Sequence, residues 1–336
     1  MATTIAIAIA SLVAIALLAS AGLLVYAVVW PLQPYGRRLP DLSRDEAALA
    51  GRLRDHVAAI ASVPHNIDHY AALEAAACYI ERQLVAMGHR PRPQAFTAAG
   101  WPVRNIALTL EPAGVTQPAS GSGIPTVLIG AHYDSSDDSP GANDNGTGVA
   151  ALVEIARTFA DTPPANARLH IVFFVNEEAP WGKTEHMGSL VHARSLVAAG
   201  ERLDGMIALE TLGYFSQARG SQKFPFPFGL VYPDVGNFVA FVGLPRARSF
   251  VLRSLRAFRA ETRFPSIGGI APGFLDGIDL SDHWAYDTCG FPAMMITDTA
   301  PFRNPYYHTR GDLPETVDYD SLARITAGLA RMLRRL

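Results

Sequence analysis

Residues 126–157, TVLIGAHYDSSDDSPGANDNGTGVAALVEIAR, constrain this chain more than any other stretch. The apolar, β-branched run from Thr126 to Gly130 predicts a buried strand. It gives way at His132-Tyr133-Asp134, the carboxyl edge of the strand, where open α/β sheets place their ligands. A loop of Asp, Ser, Gly and Asn follows. Residues 146–157 then set Val149, Leu152, Val153 and Ala156 on one face of a predicted helix. An imidazole and several carboxylates thus meet at one strand end. One His and one Asp hold a metal only weakly, so the question is whether later strands bring more ligands to the same edge.

They do. Residues 169–175, LHIVFFV, read as a strand covered on both faces and end at Asn176-Glu177-Glu178. A third strand, 205–209, ends at Glu210, and a fourth, 293–297, leads into a long loop that carries His308. Helical patterns at 188–199, 245–259 and 321–335 alternate with these strands. Upstream, Ser43 can cap a helix over 44–62, a second helix covers 66–87, and 94–110 reads as strands interrupted at Gly100-Trp101-Pro102. Residues 112–125, 216–227 and 267–279 read as loops. The fold class is therefore α/β: three αβα layers around a central mixed, mostly parallel sheet.

One N-terminal transmembrane helix precedes that domain. Residues 1–30 contain no charged side chain, and the apolar run is longer than the ~20 residues a helix needs to span a bilayer. Ala19-Ser20-Ala21 resembles a cleavage site, but the run continues past it and no Lys or Arg precedes it, so an uncleaved anchor is expected. Trp30 and Tyr35 suit an interfacial belt. Arg37 and Arg38, taken alone, place the downstream chain in the cytoplasm. The expected division is 1–30 anchor, 31–40 linker and 41–336 catalytic domain. A net charge of −3 without a basic stripe argues against nucleic acid as a partner. Two cysteines, Cys78 and Cys289, exclude a disulfide framework and a cysteine-rich zinc module.

His132, Asp144, one of the pair Glu177 and Glu178, Glu210 and His308 are the candidate metal ligands. Two His with three carboxylates suit zinc, manganese or cobalt better than calcium. Three carboxylates are too much charge for one ion but balance two, with one carboxylate bridging. Two ions ~3.5–4 Å apart can clamp both water and carbonyl in a hydrolysis. Glu177 and Glu178 are adjacent, so their side chains diverge; one can bind metal while the other serves as general base. Asp134 is placed to accept the second ring N–H of His132. Each residue alone has an ordinary reading: a structural histidine, a solvated loop, an aspartate at a helix start. Their recurrence at successive strand ends is what points to a metal site.

At these motifs the chain resembles the zinc peptidase family that contains bacterial leucyl aminopeptidases, glutamate carboxypeptidase II and glutaminyl cyclases. The matching segments are GAHYDS (130–135), GANDNGTGVA (141–150), FFVNEE (173–178), the Glu210 strand end, SDHWAY (281–286) and YHTRGD (307–312). The resemblance implies that Asp144 bridges two zinc ions, His132 and Glu210 complete one site, and Glu178 and His308 complete the other. It implies Glu177 as general base, Asp134 as the partner of His132, and a cis peptide after Asp144. The third-strand ligand is often Asp in that family; Glu210, being longer, reaches a metal only from a backbone set further back. Glu185, Asp282, His283 and Trp284 are candidates for the substrate pocket, with Trp181 and His186 as further walls and Phe224, Phe226 and Phe228 as apolar lining.

The resulting expectation is a zinc-dependent exopeptidase, foremost an aminopeptidase, that hydrolyses peptides with Glu177 as base. The alternatives are a single-zinc glutaminyl cyclase, needing only Asp144, Glu178 and His308, and an inactive membrane ectodomain. Family members usually act outside the cytoplasm, so the anchored domain is expected to be extracytoplasmic, against the Arg37-Arg38 signal.

Overall fold

A computed structural model of the chain describes residues 2–24, 36, 38–114, 124–225, 228–230 and 232–336. In chain order its elements are α1 (Ala2–Leu24), α2 (Arg44–Ile60), α3 (Tyr70–Ala86), β1 (Arg92–Ala98), β2 (Trp101–Leu110), β3 (Thr126–His132), α4 (Thr147–Thr158), β4 (Arg168–Phe174), α5 (Gly188–Ala198), β5 (Gly205–Glu210), β6 (Val239–Gly243), α6 (Arg248–Glu261), β7 (Ser266–Ile270), α7 (His283–Thr288), β8 (Ala293–Thr297) and α8 (Tyr319–Leu333). Local chemistry sets several ends. The Ser43 hydroxyl accepts from the backbone N–H of Glu46, whose carboxylate accepts from that of Ser43, so α2 starts on a complete capping box. Gly88, at φ 84°, turns the chain out of α3.

The strands form one sheet in the order β1-β2-β4-β3-β5-β8-β6-β7. Strands β4, β3, β5 and β8 run parallel, while β2 pairs antiparallel with β4 and β6 antiparallel with β8. This is the mixed, mostly parallel sheet that the apolar runs predict. Every residue of β3 is buried because helices cover both faces. Val127, Ile129 and Ala131 enter the core beneath α2, α4, α6 and α8, whereas Leu128 enters the core on the α5 and α7 side. The alternation is the two-residue period of a strand.

Two elements escape the sequence pattern. Strand β7 lies where a Gly-rich loop is expected, with Ile267 and Ile270 buried as it pairs with β6. Its Gly268-Gly269 pair lacks the β-branched signature, and the partner strand supplies the order. Helix α7 spans only six residues, too few for a 3.6-residue period to register. At the N-terminus, Thr4–Gly22 is long and apolar enough to cross a membrane, and none of it is buried against the domain. Trp30, Tyr35, Arg37 and Phe226 lie outside the described residues, as does most of the 112–125 loop.

Candidate active site

The chain passes from β3 to β4 on one side of the sheet and then crosses to β5 on the other. The carboxyl ends of these three strands therefore frame the crevice where an α/β sheet binds its ligand. His132 ends β3. Its Nε2 lies 3.4 Å from Asp144 Oδ1 and 3.3 Å from Glu210 Oε2. The other oxygen of Asp144 lies 3.1 Å from Nε2 of His308, which is 3.3 Å from Glu178 Oε1. Two triads result, His132/Asp144/Glu210 and Asp144/Glu178/His308, each with its ligand atoms within 4.8 Å of one another and both using Asp144. The Glu210 carboxylate stands 3.3 Å from His132 Nε2 and also accepts from the Ser281 hydroxyl at 2.6 Å.

The donor set fits a bound cation on an observation independent of residue type. His132 Nε2, Asp144 Oδ1 and Glu178 Oε1 are buried without a hydrogen-bond partner among the described residues, and all three residues belong to the linked triads. Buried polar atoms are normally paired, so this cluster calls for a cation. The electrostatics agree. Burial, and then the charge of Asp144, pushes the Glu178 carboxyl up to about 8. Burial also raises Glu177 well above the usual carboxylate range, with Glu210 and Glu178 adding to it. Burial disfavours a charged His308, yet the Asp144 and Glu178 carboxylates beside it take it up to about 10. Burial opposes the Asp144 charge as well, but His132 and His308 hold it below the ordinary range. Crowded carboxylates exceed what two imidazoles balance, and a divalent ion relieves that excess.

The loop before α4 is clamped into place. Gly141 sits at φ +70°, and a Cβ there would come within 2.5 Å of the Asp144 carbonyl oxygen. The Asp144–Asn145 peptide is cis, as the resemblance implies. Asp312 accepts the backbone N–H groups of Asn143 at 2.9 Å and Asp144 at 3.0 Å. Asn145 donates to the Leu209 carbonyl and accepts from Gly148 and Thr211, locking the loop to the end of β5. Asp298 accepts from the Asn143 amide. Asp312 and Ser281 fall inside the quoted motifs, but nothing in the sequence reveals which atoms they hold; Asp298 lies outside them.

Asp134 differs from expectation. Nδ1 of His132 bonds the backbone carbonyl of Asp134 at 3.1 Å, while the Asp134 carboxylate stays 3.6 Å away. That carboxylate instead accepts the backbone N–H groups of Glu177 and Glu178, both at 3.1 Å. These donors lie just past the end of β4, where the ladder no longer satisfies them, and a buried charge is their strongest acceptor. Two of the pocket assignments also change. Asp282 and His283 are fully buried, so they lie beneath the site and do not line a substrate pocket. His283 Nε2 bonds the Ile278 carbonyl. Glu185 is exposed, and Trp284 is half-buried with the Lys183 ammonium 5.7 Å from its ring centre. The space beside Glu210 is lined instead by Val242, Leu280, Met295, Thr299, Phe302 and Tyr307. It adjoins an apolar cavity bounded by Phe224, Phe228 and Tyr232, with Val242, Thr299 and Phe302 common to both.

The sequence profile of peptidase family M28 matches residues 113–226 and 259–333, more than half of the chain. The uncharacterized protein YfbL of Escherichia coli is 37% identical over 281 residues, covering 80% of this chain and 82% of that protein. A probable leucine aminopeptidase of Arthroderma otae is 25% identical over 220 residues, 60% of this chain, and the chain spans about half (52%) of that relative. Among solved structures, a Zn-dependent exopeptidase from Parabacteroides distasonis is similar with a TM-score of 0.61 at 20% identity, covering 88% of this chain and 99% of the other. Tannerella forsythia glutaminyl cyclase is similar with a TM-score of 0.61 at 21% identity, covering 88% and 100%.

Proposed function

The chain belongs to peptidase family M28, and on that premise we propose that it is a zinc-dependent exopeptidase, an aminopeptidase, in which the His132/Asp144/Glu210 and Asp144/Glu178/His308 triads would each hold one zinc ion. The observation that carries the reading is the sharing of Asp144 by two complete ligand triads. A single-zinc cyclase needs only Asp144, Glu178 and His308, and the second triad, with His132 and Glu210, favours the peptidase. Zinc, when bound there, supplies a Lewis acid for the scissile carbonyl and a nucleophile from water at neutral pH.

This chain's own residues do the rest. Glu177 belongs to neither triad, and its Oε2 stays 3.8 Å from His132 Nε2. It is free to take the proton of the attacking water and hand it to the leaving amine. Asp134 fixes the backbone of both glutamates, which keeps the base and the adjacent ligand in register. The apolar space beside Glu210 accommodates a hydrophobic side chain of the substrate.

Residues 1–30 act as a retained anchor, 31–40 as linker and 41–336 as the catalytic domain, held outside the cytoplasm. The support is an apolar helix that contributes nothing to the core. The test of the function is zinc counting on the purified chain together with release of amino acids from unblocked peptides. About two zinc ions per chain and activity abolished by chelation are expected. One ion, with cyclisation of N-terminal glutamine, would establish the cyclase instead.

A further inference from the structure

We propose that the helical layer of α2, α4, α6 and α8 docks on anionic phospholipid, with a headgroup phosphate entering an arginine-lined cavity on that layer. The proposal rests on the anchored reading of α1. A cavity of about 450 Å³ opens among α2, α4 and α8, lined by Arg52, Arg157, Arg331 and Arg334 with Glu154 as its one acid. Glu154 is buried and accepts from both Arg52 and Arg157 at 2.9 Å. The other two guanidiniums are bonded mainly to carbonyls: Arg334 to Thr158 at 3.2 Å and Arg331 to Glu261 at 3.0 Å. The Glu261 carboxylate lies 3.7 Å from Arg331 and is shared with Arg335. Four guanidiniums therefore line a cavity whose own acid is Glu154, with Glu261 the second carboxylate beside Arg331, and the surplus of positive charge suits a phosphate, which guanidinium binds in bidentate geometry.

The charge extends beyond the cavity. Helices α2, α4, α6 and α8 carry ten arginines against six acidic residues, in a chain whose net charge is −3. The chain arriving from α1 also runs onto this layer. Gly36 lies against Pro265, Leu39 packs on the core, and the Pro40 carbonyl accepts from Arg324 at 2.6 Å. From Leu24 to Gly36 the chain can extend at most about 40 Å, which keeps the layer close to any bilayer that holds α1. Helix α4 starts at the metal-site loop and ends at the cavity, and α8 likewise starts beside Gly213 and ends there. The cavity and the ligand triads are thus at opposite ends of the layer, and docking leaves the triads open to peptide.

The test uses the full chain in neutral detergent, titrated calorimetrically with dihexanoyl phosphatidylglycerol, dihexanoyl phosphatidylcholine and inorganic phosphate. Phosphatidylglycerol should bind at least tenfold tighter than either of the others, and more weakly as salt is raised. R331Q/R334Q, at two exposed positions outside the catalytic machinery, should lower that affinity at least tenfold and leave peptide hydrolysis unchanged. Equal binding of the two lipids, or an unaffected double variant, overturns the proposal. Inorganic phosphate binding as tightly as phosphatidylglycerol makes this a free-phosphate site and overturns it too. Insertion into phosphatidylcholine nanodiscs is scored separately. Insertion without headgroup preference defeats only the docking, and headgroup binding without insertion defeats only the anchor.

Discussion

Asp312 accepts the backbone N–H of Asp144 at 3.0 Å across 168 residues of sequence. The carboxylate shared by both triads is therefore aimed by a residue near the other end of the domain. Asp312→Asn keeps the size of the side chain but turns one acceptor into a donor facing a donor. Loss of such a supporting bond typically weakens metal affinity about 10- to 100-fold. Zinc competition against a chromophoric chelator should show a drop of that order with the circular dichroism spectrum unchanged. Unchanged zinc affinity would mean that Asp144 needs no such support.

Glu177→Gln separates chemistry from metal binding, because Glu177 stands outside both triads. The variant should keep its zinc content and its melting temperature while kcat falls about 10²- to 10⁴-fold, the usual contribution of a general base. Near-normal turnover in a zinc-loaded variant would remove Glu177 from the mechanism.

The sequence exposes the site more readily than its supports, for a physical reason. Ligands must be His, Asp or Glu, and they must stand at strand ends; buried runs such as those of β3 and β4 mark those ends. Supports act through backbone atoms. Asp134 illustrates the difference: its nearness to His132 is legible, but its partners are the N–H groups of Glu177 and Glu178, delivered by the pairing of β3 with β4. Asp282 and His283 show the converse error, since two polar residues in the SDHWAY motif look like pocket walls until the fold buries them. Strand β7 is hidden because its order comes from β6 and not from its own residues.

Glu154 gives the fold a pH signature away from the metal. Burial opposes its charge, but hydrogen bonds from His56, Arg52 and Arg157 prevail and hold it at about 2. An unfolded glutamate titrates near 4.3, so the folded value is the lower one. Its stabilisation is fully present above the unfolded value and is lost as pH falls from about 5 toward 2. Glu154→Gln should therefore melt below the parent chain at pH 7, with the gap closing across that window. A gap that is constant down to pH 2.5 would mean that the carboxylate charge contributes nothing there.

Sharing of Asp144 makes a prediction about stoichiometry that no single-ion site can meet. Glu210→Ala leaves His132 and Asp144 as two ligands at one position and leaves the triad of Asp144, Glu178 and His308 complete. His308→Ala does the reverse. Two protein ligands hold zinc far less well than three, so each variant should retain about one ion. Asp144→Ala strips both triads and should retain none. Zinc per chain, measured by mass spectrometry after exhaustive dialysis, should read about two for the parent chain, one for each flanking variant and zero for the shared one. If Glu210→Ala still holds two, Glu210 is not a ligand and its carboxylate serves only the Ser281 hydroxyl. If Asp144→Ala holds one, the two positions are independent and the bridging role is wrong.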